Sequence, residues 1–433
     1  MLIHEGYSVK HVMNITDVGH LVGDESIGED KISAEAKLEG KTPGQIISFY
    51  TKSFFDDLKK LNVLQPDITP RATDHIEDML NLMESLEQKG YLYRTGTGIY
   101  FDTSRFKDYG SLTGMNFKSL NESLISGARV KRDPETRNTT DFAVWRFSKN
   151  DSYRLWDSEW GKGFPGWHIE CSAMSMRYLG ETLDMHCGGV DHIPIHHTNE
   201  IAQSEAATGK KFSRHWFHVE FLTVEGKKMS KSLRNVYTAE DVLSRGFSSM
   251  ALRYFLISGN YRQKLNFTFD AMKGAQNTLF GIYEFLARLS DAKKISSTEP
   301  NSEFKKYADK SISAFFEALE DDLDMPMALS AMHSFIKEAT MLIESRQLSG
   351  EGAVKAIDTM LEFDSILGLG LSGYLEEAGK EMPRGAAELF EEREEARRRK
   401  DFRRSDELRK ELYERYNIIV EDQKEGARWH YRA

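Results

Sequence analysis

The segment "TLDMHCGGVDHIPIHHTNEIAQSEA", residues 182–206, joins a short apolar run to a helical pattern. "TLDMHCGGV" predicts a strand that ends at a Gly-Gly turn, and the residues after the turn predict a helix. A strand that leads into a helix is the unit from which α/β layers are built. His196 and Glu200 are four residues apart, so they would share one helix face as two candidate metal ligands.

The rest of the chain extends this pattern and then changes to helices. Residues 7–18, "YSVKHVMNITDV", predict a buried strand, and residues 33–61 predict a helix. A capped helix from about residue 73 should stop at Gly90 and lead into a hairpin around "TGTG". Beyond residue 244 the apolar spacing predicts helices, with two short strands, "NIIVED" and "ARWHYR", at the end.

Length and composition restrict the class of protein. The chain has 433 residues, 40% of them hydrophobic and 29% charged, which is typical of a soluble multidomain protein. Neither an apolar run of the roughly 20 residues needed to cross a bilayer nor a signal peptide can be recognised. The two cysteines, Cys171 and Cys187, are too few for a disulfide framework, which favours the cytoplasm. The sequence does not indicate an oligomeric state, so a monomer is the default expectation.

A lysine- and serine-rich loop is the most specific short signal. In "GKKMSKSLRN", residues 226–235, Lys228 and Lys231 flank a serine after a glycine-initiated turn. Such ammonium groups can bind nucleotide phosphates where charge develops in a transfer reaction. The alternative is a solvated basic loop, which most Lys/Ser runs are.

A second signal precedes the first segment in the chain. "GFPGWHIECSAM", residues 163–174, can place an aromatic wall (Trp167), an imidazole (His168) and a soft thiolate (Cys171) in one pocket. Taken singly, such residues after a Pro-Gly turn belong more often to the core.

These motifs together resemble one family. "KMSKS" matches a signature of class I aminoacyl-tRNA synthetases, and "HIEC" and "PIHHTNE" resemble the two halves of the zinc and amino-acid site of cysteinyl-tRNA synthetases. The resemblance implies that Cys171, His196 and Glu200 are zinc ligands. The sequence departs from the family's pattern at Ile195, which separates Pro194 from the histidine pair, whereas the family has the proline directly before the pair. His197 is about 100° round the helix and is not carried over as a ligand.

The resemblance also implies the reaction and the residues that bind the substrates. Cysteine and Mg-ATP would give cysteinyl-adenylate, and the acyl group would pass to tRNA-Cys. Zinc would select cysteine over serine, because it binds a thiolate far better than a hydroxyl. Cysteine would be bound by Thr16, Trp167, His168 and Asp191, although Asp191 could bind the substrate ammonium or a ribose. ATP would be bound by Lys228, Met229, Ser230, Lys231, Ser232 and His218, with Lys228 and Lys231 catalytic; a structural role for His218 is the alternative.

A basic block near the C-terminus suggests RNA contact. The net charge of the chain is −10, yet "RRRKDFRR", residues 397–404, is strongly positive. Within the resemblance, tRNA would be contacted by Arg397, Arg398, Arg399, Lys400, Arg403, Arg404 and Trp429. The alternative is an exposed helix whose arginines pair with glutamates.

The implied architecture is a Rossmann-like α/β catalytic domain with an insertion, then an α-helical bundle that binds the anticodon end and a small α+β module. We predict these segments: first part of the catalytic domain 1–68, connective insertion 69–162, second part of the catalytic domain with the zinc site and the KMSKS loop 163–242, stem-contact segment 243–272, helical bundle 273–375, and C-terminal anticodon-contacting module 376–433.

The family's opening unit is missing from this sequence. Members begin with a "CGPTVY"-like segment, whose Cys is a further zinc ligand, and a "HIGH"-type motif; His4, His11 and His20 do not have that pattern. The expectation is a chain truncated by roughly 30 to 40 residues, with impaired adenylate formation and weaker zinc binding. The leading hypothesis is a cysteine–tRNA ligase that lacks this opening unit. Its alternatives are a ligase that joins cysteine to an amino-sugar and a non-catalytic tRNA-binding remnant.

Overall fold

The computed structural model describes residues 1–18, 35–36, 38–120, 134–148, 154–230, 233–294, 302–378, 382–416, 418–423 and 426–431. The chain divides into two compact units. The N-terminal unit comprises Ser8–Leu58 and Leu64–Phe221, and the C-terminal unit comprises Met1–Tyr7, Lys59–Val63 and Leu222–Ala433. Among the described residues, no helix is both long and apolar enough to cross a membrane.

The N-terminal unit is a mixed α/β structure. Its described helices are α1 (Pro43–Lys60, of which the last two residues fall in the other unit), α2 (Ile76–Gln88), α3 (Trp167–Leu179) and α4 (Thr198–Thr208). Its described strands are β1 (Leu92–Arg94), β2 (Gly98–Phe101), β3 (Phe142–Phe147), β4 (Gly163–Pro165), β5 (Leu183–Gly189) and β6 (Ser213–Val219).

Two sheets organise this unit. Strands β1 to β4 form an antiparallel sheet in chain order, and the hairpin between β1 and β2 turns at the predicted "TGTG". Strands β5 and β6 pair in parallel, with His186 opposite Trp216 and Gly188 opposite His218. Helices α2, α3 and α4 share a core with the antiparallel sheet around the fully buried Trp145 and Met79. The predicted strand into helix at residues 182–206 is confirmed as β5 followed by α4.

The predicted buried strand over residues 7–18 is wrong. This segment makes only isolated parallel bridges, Val12 to Ile68 and Ile15 to Arg71, and Val9 is 39% exposed. Its bonded neighbour contains Pro66 and Pro70, which lack an N–H group and so cannot continue a ladder. The alternation of apolar and polar residues therefore marks an extended segment rather than a regular strand.

The helix predicted over residues 33–61 is interrupted: residues 35–36 and 38–39 are helical, and α1 begins after a break, at Pro43. Gly40 has φ of +64°, a left-handed conformation that interrupts a helix, and Pro43 suits a first turn because its missing N–H is not needed there. The predicted stop at Gly90 is confirmed, since Gly90 has φ of +76° directly after α2.

The C-terminal unit is mainly helical. Its described helices are α5 (Ala239–Leu243), α6 (Ser249–Ile257), α7 (Phe269–Ala292), α8 (Ser302–Glu320), α9 (Met325–Glu344), α10 (Gly350–Leu367), α11 (Leu371–Ala378), α12 (Arg384–Arg398) and α13 (Phe402–Tyr416). Its described strands are β7 (Leu222–Val224), β8 (Lys227–Lys228), β9 (Leu265–Phe267), β10 (Ile418–Gln423) and β11 (Gly426–Tyr431).

Side-chain caps define the starts of the helices α7, α9 and α10. Thr268, Asp324 and Ser349 each accept a hydrogen bond from a backbone N–H three residues later, which satisfies a donor that the helix itself leaves open. The apolar faces of α7 to α10 meet in a core that contains Phe315 and Phe363. The predicted change from an α/β region to helices is thus confirmed, while the segment boundaries stay predictions.

Residues 59–63 are anchored in the C-terminal unit by a half-buried arginine. Arg253 on α6 donates from Nη1 to the carbonyls of Leu61 (2.8 Å) and Asn62 (3.0 Å). Asn62 in turn donates from Nδ2 to the carbonyl of Gly368 (2.8 Å). The short segment therefore belongs to this unit although the N-terminal unit flanks it on both sides in sequence.

Candidate metal centre and active site

Helix α3 carries the first candidate ligand, Cys171. The chain enters α3 from β4 through Pro165 and Gly166, and only glycine fits at 166 because a Cβ would collide with the carbonyl oxygen of Ala143. This close approach fixes the start of α3 against β3. Trp167 and His168 therefore lie in its first turn and Cys171 one turn further on.

The turn between β5 and α4 carries the second ligand. A 3₁₀ turn (Val190–His192) and a π turn (Ile193–His197) precede α4, so the two histidines lie in the wider π turn and Glu200 in the first turn of α4. π turns recur at functional sites. Nε2 of His196 lies 3.6 Å from Oε2 of Glu200, as the four-residue spacing predicts.

Cys171, His196 and Glu200 converge from these separate segments. One ligand atom from each lies within 4.8 Å of the others. Glu200 is fully buried, and its Oε1 has no hydrogen-bond partner among the described residues. A buried carboxylate oxygen without a donor is costly unless a cation binds it. A thiol, an imidazole and a carboxylate are the donor set of zinc, so these residues fit that ion.

His196 is held in a ligand-ready state. Its Nδ1 lies 3.0 Å from Nδ1 of His168, which leaves Nε2 directed at Glu200. The indole of Trp167 packs on it, with ring centroids 4.4 Å apart. Burial lowers the pKa of His196 to about 3, so the imidazole is neutral and can donate its lone pair to a metal.

The other two ligands have opposite shifts. Burial raises the pKa of the Cys171 thiol well above its usual value, and the charges of Glu200 and Glu170 raise it further. Burial alone would also raise the pKa of Glu200, but the neighbouring imidazoles of His186 and His196 hold it below its usual value. The carboxylate is thus ready for a cation, whereas the thiol must release a proton to bind one.

Sequence reasoning missed His186 and set aside His197 as a ligand, yet both lie beside Glu200. His186 on β5 and His197 also form, with Glu200, a group whose ligand atoms lie within 4.8 Å of one another. Nε2 of His186 is 3.1 Å from Oε2 of Glu200, which is a hydrogen-bond distance, so His186 orients this carboxylate. His186 lies on strand β5, before the turns that lead to His197 and Glu200. In the sequence, only the spacing "HxGG" at the end of that strand indicated this residue.

The residues predicted to bind cysteine are partly gathered here. Trp167 and His168 adjoin His196, and Trp167 is 36% exposed. Asp191 is exposed in the 3₁₀ turn, and a Cβ on Gly189 would collide with its Oδ1, so its carboxylate lies over that backbone. Thr16 accepts a hydrogen bond from Nδ2 of Asn14 (3.1 Å).

His218 lies on β6 and contacts this cluster. Its Nε2 is 2.8 Å from Nδ1 of His197, and its ring stacks on Trp216 with centroids 6.1 Å apart. Burial and the nearby imidazoles of His186 and His192 lower the pKa of His218.

The "KMSKS" loop belongs to the C-terminal unit. Lys228 ends β8 and is exposed, whereas Met229 packs partly against the helical core. Asn235 ties the loop together, because it accepts from the N–H of Ser230 (2.8 Å) and donates to the carbonyl of Lys228 (3.0 Å). The predicted residues Lys231 and Ser232 lie outside the described residues.

The five predicted tRNA-binding arginines are all paired with acids. Arg397 joins Arg393 and Arg409 on the carboxylate of Asp422. The remaining pairs are Arg398 and Arg399 with Glu395, Arg403 with Glu407, and Arg404 with Glu392 and Glu407. Lys400 is exposed and has φ of +62° at the end of α12, and Trp429 packs against the small core of the module.

Comparison with known families matches both ends of the chain. Residues 1–277 match the family model described as tRNA synthetases class I (C) catalytic domain. Residues 379–432 match the cysteinyl-tRNA ligase anticodon binding domain.

Individual relatives match almost the whole chain. The cysteine–tRNA ligase of Treponema denticola is 41% identical over 98% of this chain and 88% of its own length. The cysteine–tRNA ligase of Thermus thermophilus is 41% identical over 99% of this chain and 88% of its own length. That of Chlorobaculum tepidum is 38% identical over 98% of this chain and 86% of its own length. Among solved structures, methionyl-tRNA synthetase of Mycobacterium tuberculosis in complex with methionyl-adenylate superposes with a TM-score of 0.66, at 16% identity and 87% of both chains. This likeness confirms the class I, Rossmann-like fold.

Proposed function

Because the chain belongs to the cysteine–tRNA ligase family of class I aminoacyl-tRNA synthetases, we propose that it activates cysteine with ATP and transfers the cysteinyl group to tRNA-Cys. The observation that carries this proposal is the convergence of Cys171, His196 and Glu200 around an unpartnered buried carboxylate oxygen. The sulfur, nitrogen and oxygen donors of the half-buried Cys171 and the buried His196 and Glu200 suit zinc and leave room for a further thiolate ligand.

Zinc supplies, when bound, a soft Lewis acid that takes a thiolate in preference to a hydroxyl. The chain's own residues do the rest. Cys171, His196 and Glu200 hold the ion, His168 fixes the ring of His196, and the exposed face of Trp167 covers the apolar side of a bound cysteine. Thr16 contributes a polar wall, and Asp191 binds either the substrate ammonium or a ribose.

ATP is bound, in this proposal, by the Lys228 loop and by His218. Lys228 and Lys231 neutralise charge on the phosphates together with Mg²⁺, and Met229, Ser230 and Ser232 shape the loop. The hydrogen bonds of Asn235 support this role, because they fix the backbone that presents Lys228. A reducing cytoplasm suits this chemistry, since both cysteines are free thiols.

The C-terminal module would contact tRNA. The match of residues 379–432 to an anticodon-binding domain favours tRNA over an amino-sugar as the acceptor. The ion pairs of Arg398, Arg399, Arg403 and Arg404 are exposed and therefore worth little, so phosphates can exchange with the glutamates. Lys400 adds an exposed cation, and Arg397 and Trp429 lie at the edge of the same module.

The direct test uses the full chain loaded with Co²⁺ in place of zinc. We expect cysteine, but not serine, to add a thiolate-to-cobalt absorption band, and we expect Cys171→Ala to lose metal. Cys187→Ala is the matched control, because Cys187 is an exposed thiol on β5 and should leave metal content unchanged. Unchanged metal content in Cys171→Ala would sink the ligand assignment.

Two activity measurements separate the alternatives. Cysteine-dependent exchange of labelled pyrophosphate into ATP, with binding of tRNA-Cys in a gel shift, would establish the ligase. Exchange without any tRNA binding would point to the amino-sugar ligase. Binding of tRNA without exchange would identify a non-catalytic RNA-binding protein.

A further inference from the structure

His197 lies between the metal centre and His218 but is assigned to neither. Its side chain is almost fully buried, with 1% of its surface exposed. It is adjacent in sequence to the ligand His196 and shares Glu200 with it, but it also contacts Trp216 and His218 on β6. A buried imidazole in such a position needs partners for both ring nitrogens.

One side of the His197 ring is bound to β6. Nδ1 lies 2.8 Å from Nε2 of His218, and the ring packs on Trp216 with centroids 4.9 Å apart. Trp216 in turn stacks on His218 at an interplanar angle of 5°. The three rings therefore form one packed group, in which a shift of His218 must shift His197.

The other side of the ring faces Glu200. Nε2 of His197 lies 3.8 Å from Oε2 of that carboxylate, one helical turn away. The backbone of Gly188 closes the remaining side, because a Cβ there would lie 2.8 Å from this nitrogen and 2.6 Å from the adjacent ring carbon. The imidazole thus has no room to rotate away from Glu200 while its bond to His218 is intact.

We propose that His197 is a positioning residue that couples the metal centre to His218, so that binding of metal and binding of ATP strengthen each other. This rests on the proposed function only for the role of His218 at the nucleotide. His197 touches neither substrate in this account; it transmits the position of His218 to Glu200. Coupling between two sites is reciprocal, so each ligand must change the affinity of the other by the same factor.

The first test measures Co²⁺ affinity by chelator competition on the full chain. Loss of one buried hydrogen bond should weaken the affinity roughly three- to tenfold in His218→Ala, although His218 is not a ligand. His215→Ala is the matched control, because His215 is exposed on the same strand, three residues away, and should leave the affinity unchanged. His197→Asn should weaken it as much, and the double variant should be no weaker than His197→Asn alone.

The second test measures the dissociation constant of ATP with and without bound zinc. We expect zinc to tighten ATP binding by the same three- to tenfold factor in the wild type and by none in His197→Asn. Additive effects in the double variant, with zinc and ATP still bound, would overturn the coupling and leave the proposed function intact. Binding of two metal ions per chain, one of them lost in His197→Asn, would make His197 a ligand and overturn it too. Absence of any zinc binding would refute the proposed function itself.

Discussion

Replacement of His168 by alanine should weaken zinc binding without touching a ligand. His168 is 8% exposed and its Nδ1 lies 3.0 Å from Nδ1 of His196, which is 5% exposed. Removal of this partner frees the His196 ring to rotate and leaves a buried nitrogen without a hydrogen bond. Partners of this kind are worth about 10- to 100-fold in metal affinity. That range corresponds to about 1.4 to 2.7 kcal/mol.

The measurement needs a control for loss of stability, because any buried histidine replaced by alanine leaves a cavity. His75→Ala provides it: His75 is 7% exposed in the same unit, and its ring bonds to the carbonyl of Arg71 (2.7 Å) and the hydroxyl of Tyr178 (2.8 Å). Both variants should unfold at lower denaturant concentration. Only His168→Ala should lose zinc affinity in a competition titration with a chromophoric chelator, and His168→Asn should recover part of it.

Two results would refute the reasoning. Zinc affinity of His168→Ala within twofold of the wild type would show that His196 needs no partner. An equal loss in His75→Ala would show that general destabilisation, rather than the orientation of one ring, weakens the site.

Other expected outcomes concern three different regions. Zinc affinity should rise about tenfold per pH unit between about pH 6 and about pH 8. The raised pKa of Cys171 keeps its thiol protonated in this range, and zinc must displace that proton. Competition titrations that show no pH dependence would contradict this. Asp422→Asn should destabilise the C-terminal module by about 2 kcal/mol, since the fully buried Arg393 loses one of its two carboxylate partners and keeps Glu394; thermal unfolding measures it. Partial burial alone would raise the pKa of the Asp422 carboxyl, but the hydrogen bond from Arg393 and the charges of Arg393, Arg409 and Arg397 hold it below its usual value. These ion pairs therefore stabilise the fold above about pH 4, and the contribution is lost as pH falls below that value. Asn235→Ala should speed tryptic cleavage after Lys228 about tenfold through loss of two hydrogen bonds, and an unchanged cleavage rate would show that they do not hold the loop.

Sequence patterns predicted the helices and strands whose formation depends on residues close together in the chain. The step from β5 into α4 follows from the apolar run, the two glycines and the helical spacing around His196. The stop after α2 follows from Gly90. Residues 7–18 have an equally good strand pattern, but their neighbour contains prolines, and a partner's hydrogen-bonding capacity is invisible in a segment's own sequence.

The same limit applies to the candidate site. Cys171, His196 and Glu200 could be named from motifs, because each motif is short and the resemblance joins them. His186 and His218 meet this group only because β5 and β6 pair in parallel, which puts Gly188 opposite His218 and His186 opposite Trp216. The pairing of Arg397 with Asp422 likewise depends on where β10 packs. The sequence alone therefore shows a block of basic residues but not the ion pairs that these residues form.

The anchoring of residues 59–63 by Arg253 has a consequence for synthesis on the ribosome. Leu61 precedes Arg253 by 192 residues, so its carbonyl must wait for its donor while the intervening chain is made. At roughly 5–20 residues per second the delay is on the order of 10–40 s. During that interval the N-terminal unit can complete its own core, but the short segment it encloses has no permanent partner. A chaperone that binds nascent chains would find Leu61 and its neighbours exposed for this whole period, and a slower ribosome would lengthen it.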